Sequence, residues 1–231
     1  MKIGKILIEC EPQGKKLVIP EGITHIDEAV FDRDEFIEVE ELVLPDSLIK
    51  IGTEAFYGMD NLKQIDFGNG LEEIGDGAFA SCRCLKEIKL PGTITWIGEN
   101  AFEHCEALEK VFIPSGKSSE GLGYIEQICE RAFSSCKSLV EFKCEKRVED
   151  WGEEVFACTA FEEFVCPDMM ERHVYLSERM FEYCTKLKRI VLPRNLQEIE
   201  QDAFSGCERL NEIVKKDDEW QEVEIENGVL V

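Results

Sequence analysis

The side chains best equipped for chemistry in this 231-residue chain are its eleven cysteines and three histidines. Cys82-Arg83-Cys84 forms a C-x-C, and with His104 and Cys105 it supplies thiols and an imidazole of the kind that ligate zinc. Zinc signatures rest on paired C-x-x-C steps or their histidine equivalents, which this set lacks, so no metal is expected. His25, His104 and His173 carry the imidazoles that could act as bases near neutral pH, but 79 and 69 residues separate them. None stands in a motif with an acid or a nucleophile. The glycines are spread along the chain and form no phosphate-cradling loop. The residues therefore point to a protein that is not an enzyme and carries no cofactor.

The cysteines obey a rhythm instead. Cys82, Cys105, Cys136, Cys184 and Cys207 each follow a phenylalanine by three residues, and Cys158 follows one by two. Those phenylalanines are Phe31, Phe56, Phe79, Phe102, Phe133, Phe156, Phe181 and Phe204, in steps of 25, 23, 23, 31, 23, 25 and 23. A period of this size marks a solenoid of stacked coils. A cysteine at a fixed point of each coil packs as a small apolar side chain with a weak S–H donor. Cys144 and Cys166 stand where other repeats have Leu44, Phe67, Leu90 or Leu192, so they replace core residues. Neighbouring column cysteines should lie about one strand spacing apart, which leaves disulfides possible by distance, although parallel orientation favours packing.

The elements that carry this rhythm can be read from one repeat. Leu85-Lys86-Glu87-Ile88-Lys89-Leu90 alternates as a short strand with one buried face, and Pro91 stops its ladder. Matching segments end at Pro45, Pro114, Pro167 and Pro193. After the turn, Leu71 and Ile74, Ile94 and Ile97, or Leu196 and Ile199 point inward again. Gly52, Gly75 and Gly98 follow, where backbone geometry other residues resist is expected. Ala-Phe-x-x-Cys then makes a compact turn before the next strand. The expected fold is a right-handed repeat solenoid of about eight coils, with parallel strands on one side and short strands, turns or single helical turns on the other.

These residues resemble the BspA-type leucine-rich repeats, whose pattern is close to L-x-x-I-x-L-P-x-x-L-x-x-I-x-x-x-A-F-x-x-C-x-x-L. The resemblance runs from about Leu17 to Ile213. It implies a curved solenoid with the strands on the concave side. The wider leucine-rich class has an asparagine ladder, whose place Thr93 and its equivalents take here. The resemblance also implies bacterial or protist surface proteins that bind host proteins or other cells.

Two stretches break the rhythm. Ser115 to Gly123 adds about eight residues with the composition of a flexible loop. Between Cys144 and Met180, Glu145 replaces the proline, Trp151 replaces the repeat isoleucine, and Met169, Met170 and His173 occupy an enlarged turn. The chain reads as one repeat domain over 1–231, with an N-terminal cap at 1–16, repeats over 17–213, and a C-terminal cap or the start of a further array at 214–231. Both ends look like hairpin-like openings.

Asp and Glu number 49 against 26 Lys and Arg, a formal charge of −23 whose field repels nucleic acid and anionic membranes. Neither is expected as a partner, and membrane insertion is not expected either. The apolar run around Ile3, Ile6, Leu7 and Ile8 ends at Glu9 and Glu11, too early for a secretory segment. The chain as written thus reads as cytoplasmic, whereas the resemblance implies a cell-surface or secreted protein.

The candidate binding surface is the outward row of the proline-terminated strands. Its members are Glu41 and Val43, Gln64 and Asp66, Glu87 and Lys89, Lys110 and Phe112, Glu141 and Lys143, Glu163 and Val165, and Arg189 and Val191, preceded by Lys16 and Val18. Mixed charge with exposed Val18, Val43, Phe112, Val165 and Val191 suits a protein or peptide ligand. A passive spacer in a larger surface protein is the rival reading. Carbohydrate binding ranks lower, because Phe112 is the one aromatic in the row.

Overall fold

A computed structural model describes residues 5–7, 12–31, 36–170, 174–194, 196–216, 225–226 and 229–230. Each regular coil contributes two short strands. The first series leads into the proline turn or its equivalent and comprises β2 (Lys16–Val18), β4 (Glu41–Val43), β6 (Gln64–Asp66), β8 (Glu87–Lys89), β10 (Lys110–Ile113), β12 (Glu141–Cys144), β14 (Glu163–Val165), β16 (Arg189–Leu192) and β18 (Glu212–Lys215). The second series follows the proline turn and comprises β1 (Lys5–Leu7), β3 (Ile23–Ile26), β5 (Lys50–Ile51), β7 (Glu73–Ile74), β9 (Trp96–Ile97), β11 (Tyr124–Ile128), β13 (Arg147–Trp151), β15 (Tyr175–Leu176) and β17 (Glu198–Ile199). Within each series strands pair in parallel, coil upon coil. The second series runs unbroken from β1 to β13, while the first divides into three groups of three strands.

The apolar positions of both series converge on one core. Leu85, Ile88 and Leu90 are buried in the first strand, and Ile94 and Ile97 in the second. Between the series runs the phenylalanine column. From Phe31 to Phe204 successive rings stack nearly parallel, at centroid separations of 4.9, 5.1, 5.3, 5.3, 5.8, 5.7 and 5.7 Å. The step from Phe102 to Phe133 remains 5.3 Å although 31 residues separate the two. The insertion therefore loops out of the coil without disturbing the core.

The Ala-Phe segment is a chain of turns and not a helix. Alternate N–H groups leave the coil: Glu54, Phe56 and Gly58 donate to the carbonyls of Asp76, Ala78 and Ala80 in the next coil, at 2.8, 2.9 and 2.8 Å, while Ala55 and Tyr57 donate within their own. This geometry requires left-handed backbone two residues before and two residues after each phenylalanine from Phe56 to Phe204. Gly77 and Ser81 flank Phe79 in this way, as Asn100 and His104 flank Phe102 and Arg179 and Tyr183 flank Phe181. Mostly non-glycine residues hold these conformations, at about 1–2 kcal/mol each, because coil-to-coil hydrogen bonds on both sides over-determine them.

Gly52, Gly75 and Gly98 serve a different purpose from the one expected. Their φ angles are not left-handed, but a Cβ on Gly75 would lie 2.8 Å from backbone atoms of the preceding coil. They are glycines because coils touch there.

The column cysteines have a hydrogen-bonding duty. Cys82, Cys105, Cys136, Cys184 and Cys207 donate S–H to the carbonyls of Phe56, Phe79, Phe102, Phe156 and Phe181, at 3.0–3.4 Å. The carbonyls of Phe79, Phe102 and Phe181 thus each receive the N–H of their own coil's cysteine and the S–H of the next coil's, while that of Phe156 takes the Thr159 hydroxyl of its own coil at 2.8 Å in place of a cysteine N–H. All ten described cysteines are free thiols. Burial pushes the Cys166 thiol up to about 12 and Cys82 and Cys105 well above the ordinary range.

Hydroxyls at the Thr93 position act as the ladder that the missing asparagines would form. Thr93 Oγ1 donates to the carbonyls of Leu71 at 2.6 Å and Asn69 at 3.3 Å, and Ser47 donates to Ile23 at 2.8 Å. One coil later the insertion supplies no such hydroxyl. The equivalent carbonyls, of Ile94 and Gly92, are taken at 2.6 and 3.0 Å by the ammonium of Lys146, which is buried from the other side of the insertion. Burial lowers the Lys146 pKa. The loop itself is pinned: Ser118 and Leu122 bond each other, Ser119 N–H donates to Glu72, and Gly116 lies against Gly92 so closely that a Cβ would sit 2.5 Å from the Gly92 oxygen. The glycine there answers a packing demand, and the flexible composition conceals an anchored loop.

In the irregular stretch Trp151 pairs in register with Ile128 and is buried, as its place in the repeat implies. Met169 forms an isolated parallel bridge to Val148, and the second series resumes only at β15. His173 lies outside the described residues, as do parts of both terminal segments. At the N-terminus β1 joins β3 in parallel, not as a hairpin, and the antiparallel bridge there joins Gln13 to Lys16. At the C-terminus β19 (Ile225–Glu226) and β20 (Val229–Leu230) do pair antiparallel.

Three outcomes follow. Phe102→Ala should cost about 3–5 kcal/mol, read by urea denaturation, with the central coils lost cooperatively. Lys146→Met should cost about 2 kcal/mol by orphaning two carbonyls, against less than about 0.5 kcal/mol for the exposed Lys86→Met. Glu40 bridges Lys15 at 2.6 Å and Lys63 at 2.8 Å, hydrogen bonds that lower its carboxyl from 4.5 to about 2. A depressed carboxyl stabilises the fold above its unfolded pKa and ceases to do so as pH falls through the folded one. The melting-temperature advantage of the parent over Glu40→Gln should therefore be full at neutral pH and shrink as pH falls from 4.5 towards about 2.

Candidate functional site

The outward residues of the first strand series form two rows, because residues two apart on a strand share a face. The first row runs Lys16, Glu41, Gln64, then Glu87, Lys110, Glu141, then Glu163, Arg189, Glu212, in register within each group. The second runs Val18, Val43, Asp66, then Lys89, Phe112, Lys143, then Val165, Val191, Val214. All fourteen predicted residues therefore lie on this face, gathered by parallel pairing.

Much of the charge in the first row is used internally. Lys16 pairs with Glu41 at 3.3 Å and Lys110 with Glu141 at 3.8 Å, while Arg189 reaches Glu163 on one side and Glu212 at 2.8 Å on the other. Such exposed cross-strand pairs hold the sheet modestly, at about 0.2–1 kcal/mol each.

The second row carries the distinctive feature. Phe112 stands in register between Lys89 and Lys143, and the Lys143 ammonium lies 5.2 Å from the centre of its ring. That is a cation–π arrangement. The Phe112 side chain is partly exposed, as is Val43, whereas Val18 and Val165 are open at 38% and 48%. Val191 departs from expectation. It is buried at 6%, set between Val165 and the buried Val214 on the flanking strands. Beyond Lys143 the row opens into a cleft of about 320 Å³, whose walls include Lys143, Val165, Arg147, Glu145 and Lys216. Lys216 is held there by the Cys166 carbonyl at 2.8 Å and Asp168 at 3.1 Å.

The residues first weighed for chemistry are not assembled. Cys82 and Cys105 are buried and bonded to carbonyls, and among the described residues no three metal-capable side chains converge. His25 bonds Thr24, and His104 occupies a left-handed turn position. Among the described residues no helix is long and apolar enough to cross a membrane.

Two further residues escaped the sequence reading. Lys146 bridges coils across the insertion, and Trp96 faces outward from β9. Trp96 was legible, since it alternates with the inward Ile97, but the second strand was read for its buried positions alone.

A search of curated proteins finds no match. Among solved structures the chain is similar to the Treponema pallidum leucine-rich repeat protein TpLRR, at 25% identity over 63% of this chain and 76% of that one, with a TM-score of 0.45. It is similar to the pneumococcal vaccine antigen PcpA, at 24% identity over 87% of this chain and 62% of that one, TM-score 0.48. A leucine-rich repeat protein of Bacteroides ovatus shares 19% identity over 84% of this chain and 73% of that one, TM-score 0.37. The family model for the BspA type leucine-rich repeat region matches in six copies over residues 2–122 and 122–223. With nearly the whole chain covered and its phenylalanine, proline and cysteine positions each given a structural role, the chain belongs to the BspA type leucine-rich repeat family.

Proposed function

We propose that the chain is a non-catalytic scaffold that binds a protein or peptide ligand across the outward face of the first strand series, the side expected to be concave. The observation that supports this most is Phe112, partly exposed between Lys89 and Lys143 in a row that continues to Val165. An aromatic with flanking ammonium groups offers apolar area and charge selectivity in one place, the composition of interface anchors. Family membership suits adhesion or recognition of another cell's surface protein. The rival reading, a passive spacer, draws on the first row, where Lys16, Glu41, Lys110, Glu141, Arg189 and Glu212 satisfy one another and leave less charge for a partner.

The two readings separate in one experiment. The immobilised parent chain, Phe112→Ala and Glu87→Lys are each exposed to native extract, after melting curves confirm that the variants fold. The binding reading expects a protein retained by the parent and released at least about ten-fold more readily from Phe112→Ala. A protein retained equally by all three chains places the site elsewhere. Nothing retained by the parent favours the spacer.

A further inference from the structure

The outward row of the second strand series holds a site of different character. In register it runs His25, Lys50, Glu73, Trp96, Gln127, Asp150. The polar members link laterally: Lys50 pairs with Glu73 at 2.6 Å, Gln127 donates to Asp150 at 3.3 Å, and Tyr175 donates to Asp150 at 2.6 Å. Trp96 stands between these linked groups and remains 37% exposed. It borders a cleft of about 410 Å³ whose walls also carry Lys50, Glu73, Asp76 and Glu126. Three carboxylates thus share the cleft with the indole against one ammonium, which Glu73 already engages.

The walls are set in place before any ligand arrives. Asp76 Oδ1 accepts the Glu99 N–H at 2.9 Å, and a Cβ on Gly98 would strike that oxygen, so the carboxylate lies close over bare backbone. Beside Glu73, Glu72 accepts the Ser119 N–H, which anchors the 115–123 insertion next to the cleft. Glu126 enters on the strand that leads out of the insertion.

We infer that this cleft receives an arginine side chain presented by a protein partner. A guanidinium is planar, stacks on an indole face and donates in a fork that carboxylates on the rim accept. A neutral sugar would use the indole but gain nothing from the excess negative charge. A lysine ammonium would satisfy the charge but not the stacking. The cleft lies on a different strand series from Phe112, so the inference stands independently of the binding face proposed above.

The test follows the indole N–H signal of Trp96 by nitrogen-15 NMR, assigned with Trp96→Phe. The probes are acetyl-Gly-Arg-Gly-amide, the same peptide with neutral citrulline for arginine, and cellohexaose. The inference expects the arginine peptide to shift the Trp96 signal, the citrulline peptide to bind at least about ten-fold more weakly, and raised salt to weaken the arginine response. Calorimetry should show Glu126→Gln losing about three- to ten-fold in affinity and Trp96→Leu about ten-fold or more, with melting temperatures unchanged and Phe112→Ala binding like the parent. Equal response to arginine and citrulline, a response to cellohexaose alone, undiminished binding by Trp96→Leu, or no response to any probe would each overturn it.

Discussion

Everything in this molecule depends on a single repeat distance along the stack. Parallel strands joined by backbone hydrogen bonds must lie about 4.8 Å apart, and whatever fills the core has to accept a similar pitch. A phenylalanine ring lying nearly face to face with its neighbours does so, at 4.9–5.8 Å. No coil can bury its own apolar face, so each is completed by the next. The turns obey the same distance: every second amide reaches the adjoining coil, which is why left-handed residues recur on both sides of the phenylalanines from Phe56 to Phe204.

The phenylalanine and proline spacing made the stack legible, because both are periodic and both report burial or chain reversal. The chain's departures were legible as places but not as structures. Ser115 to Gly123 reads as flexible by composition, yet Gly116 is required by its contact with Gly92. Lys146 reads as one more surface charge. Its ammonium takes the carbonyl that faces the place where Ser47 and Thr93 supply a hydroxyl in their coils, a link between residues 52 positions apart that no local pattern carries. The outward row of the first series was fully predictable from alternation, except Val191, whose burial comes from its flanking strands.

Chemistry on such a scaffold is confined to what points outward, since the interior is committed to stacking. The cysteines illustrate this. The thiols of Cys82, Cys105 and Cys136 are consumed as donors to phenylalanine carbonyls and are driven towards the protonated state by burial, which removes the nucleophilic thiolate. What distinguishes one coil from another is therefore the outward pair on each strand, and the two series offer two unlike surfaces, one centred on Phe112 with lysines and one on Trp96 with carboxylates.

The direction of the inter-coil hydrogen bonds also has a mechanical meaning. They run from coil to coil, so a pull on the two ends along the stack loads them in line and opens them a few at a time, as a zipper opens. Each released coil of 23 residues would lengthen the chain by roughly 80 Å at about 3.4 Å per residue. A load crossing the stack would instead shear many bonds together. Lys146, which clamps carbonyls more than fifty residues upstream, ties its own coil across the intervening one, so that two coils must part together at that point.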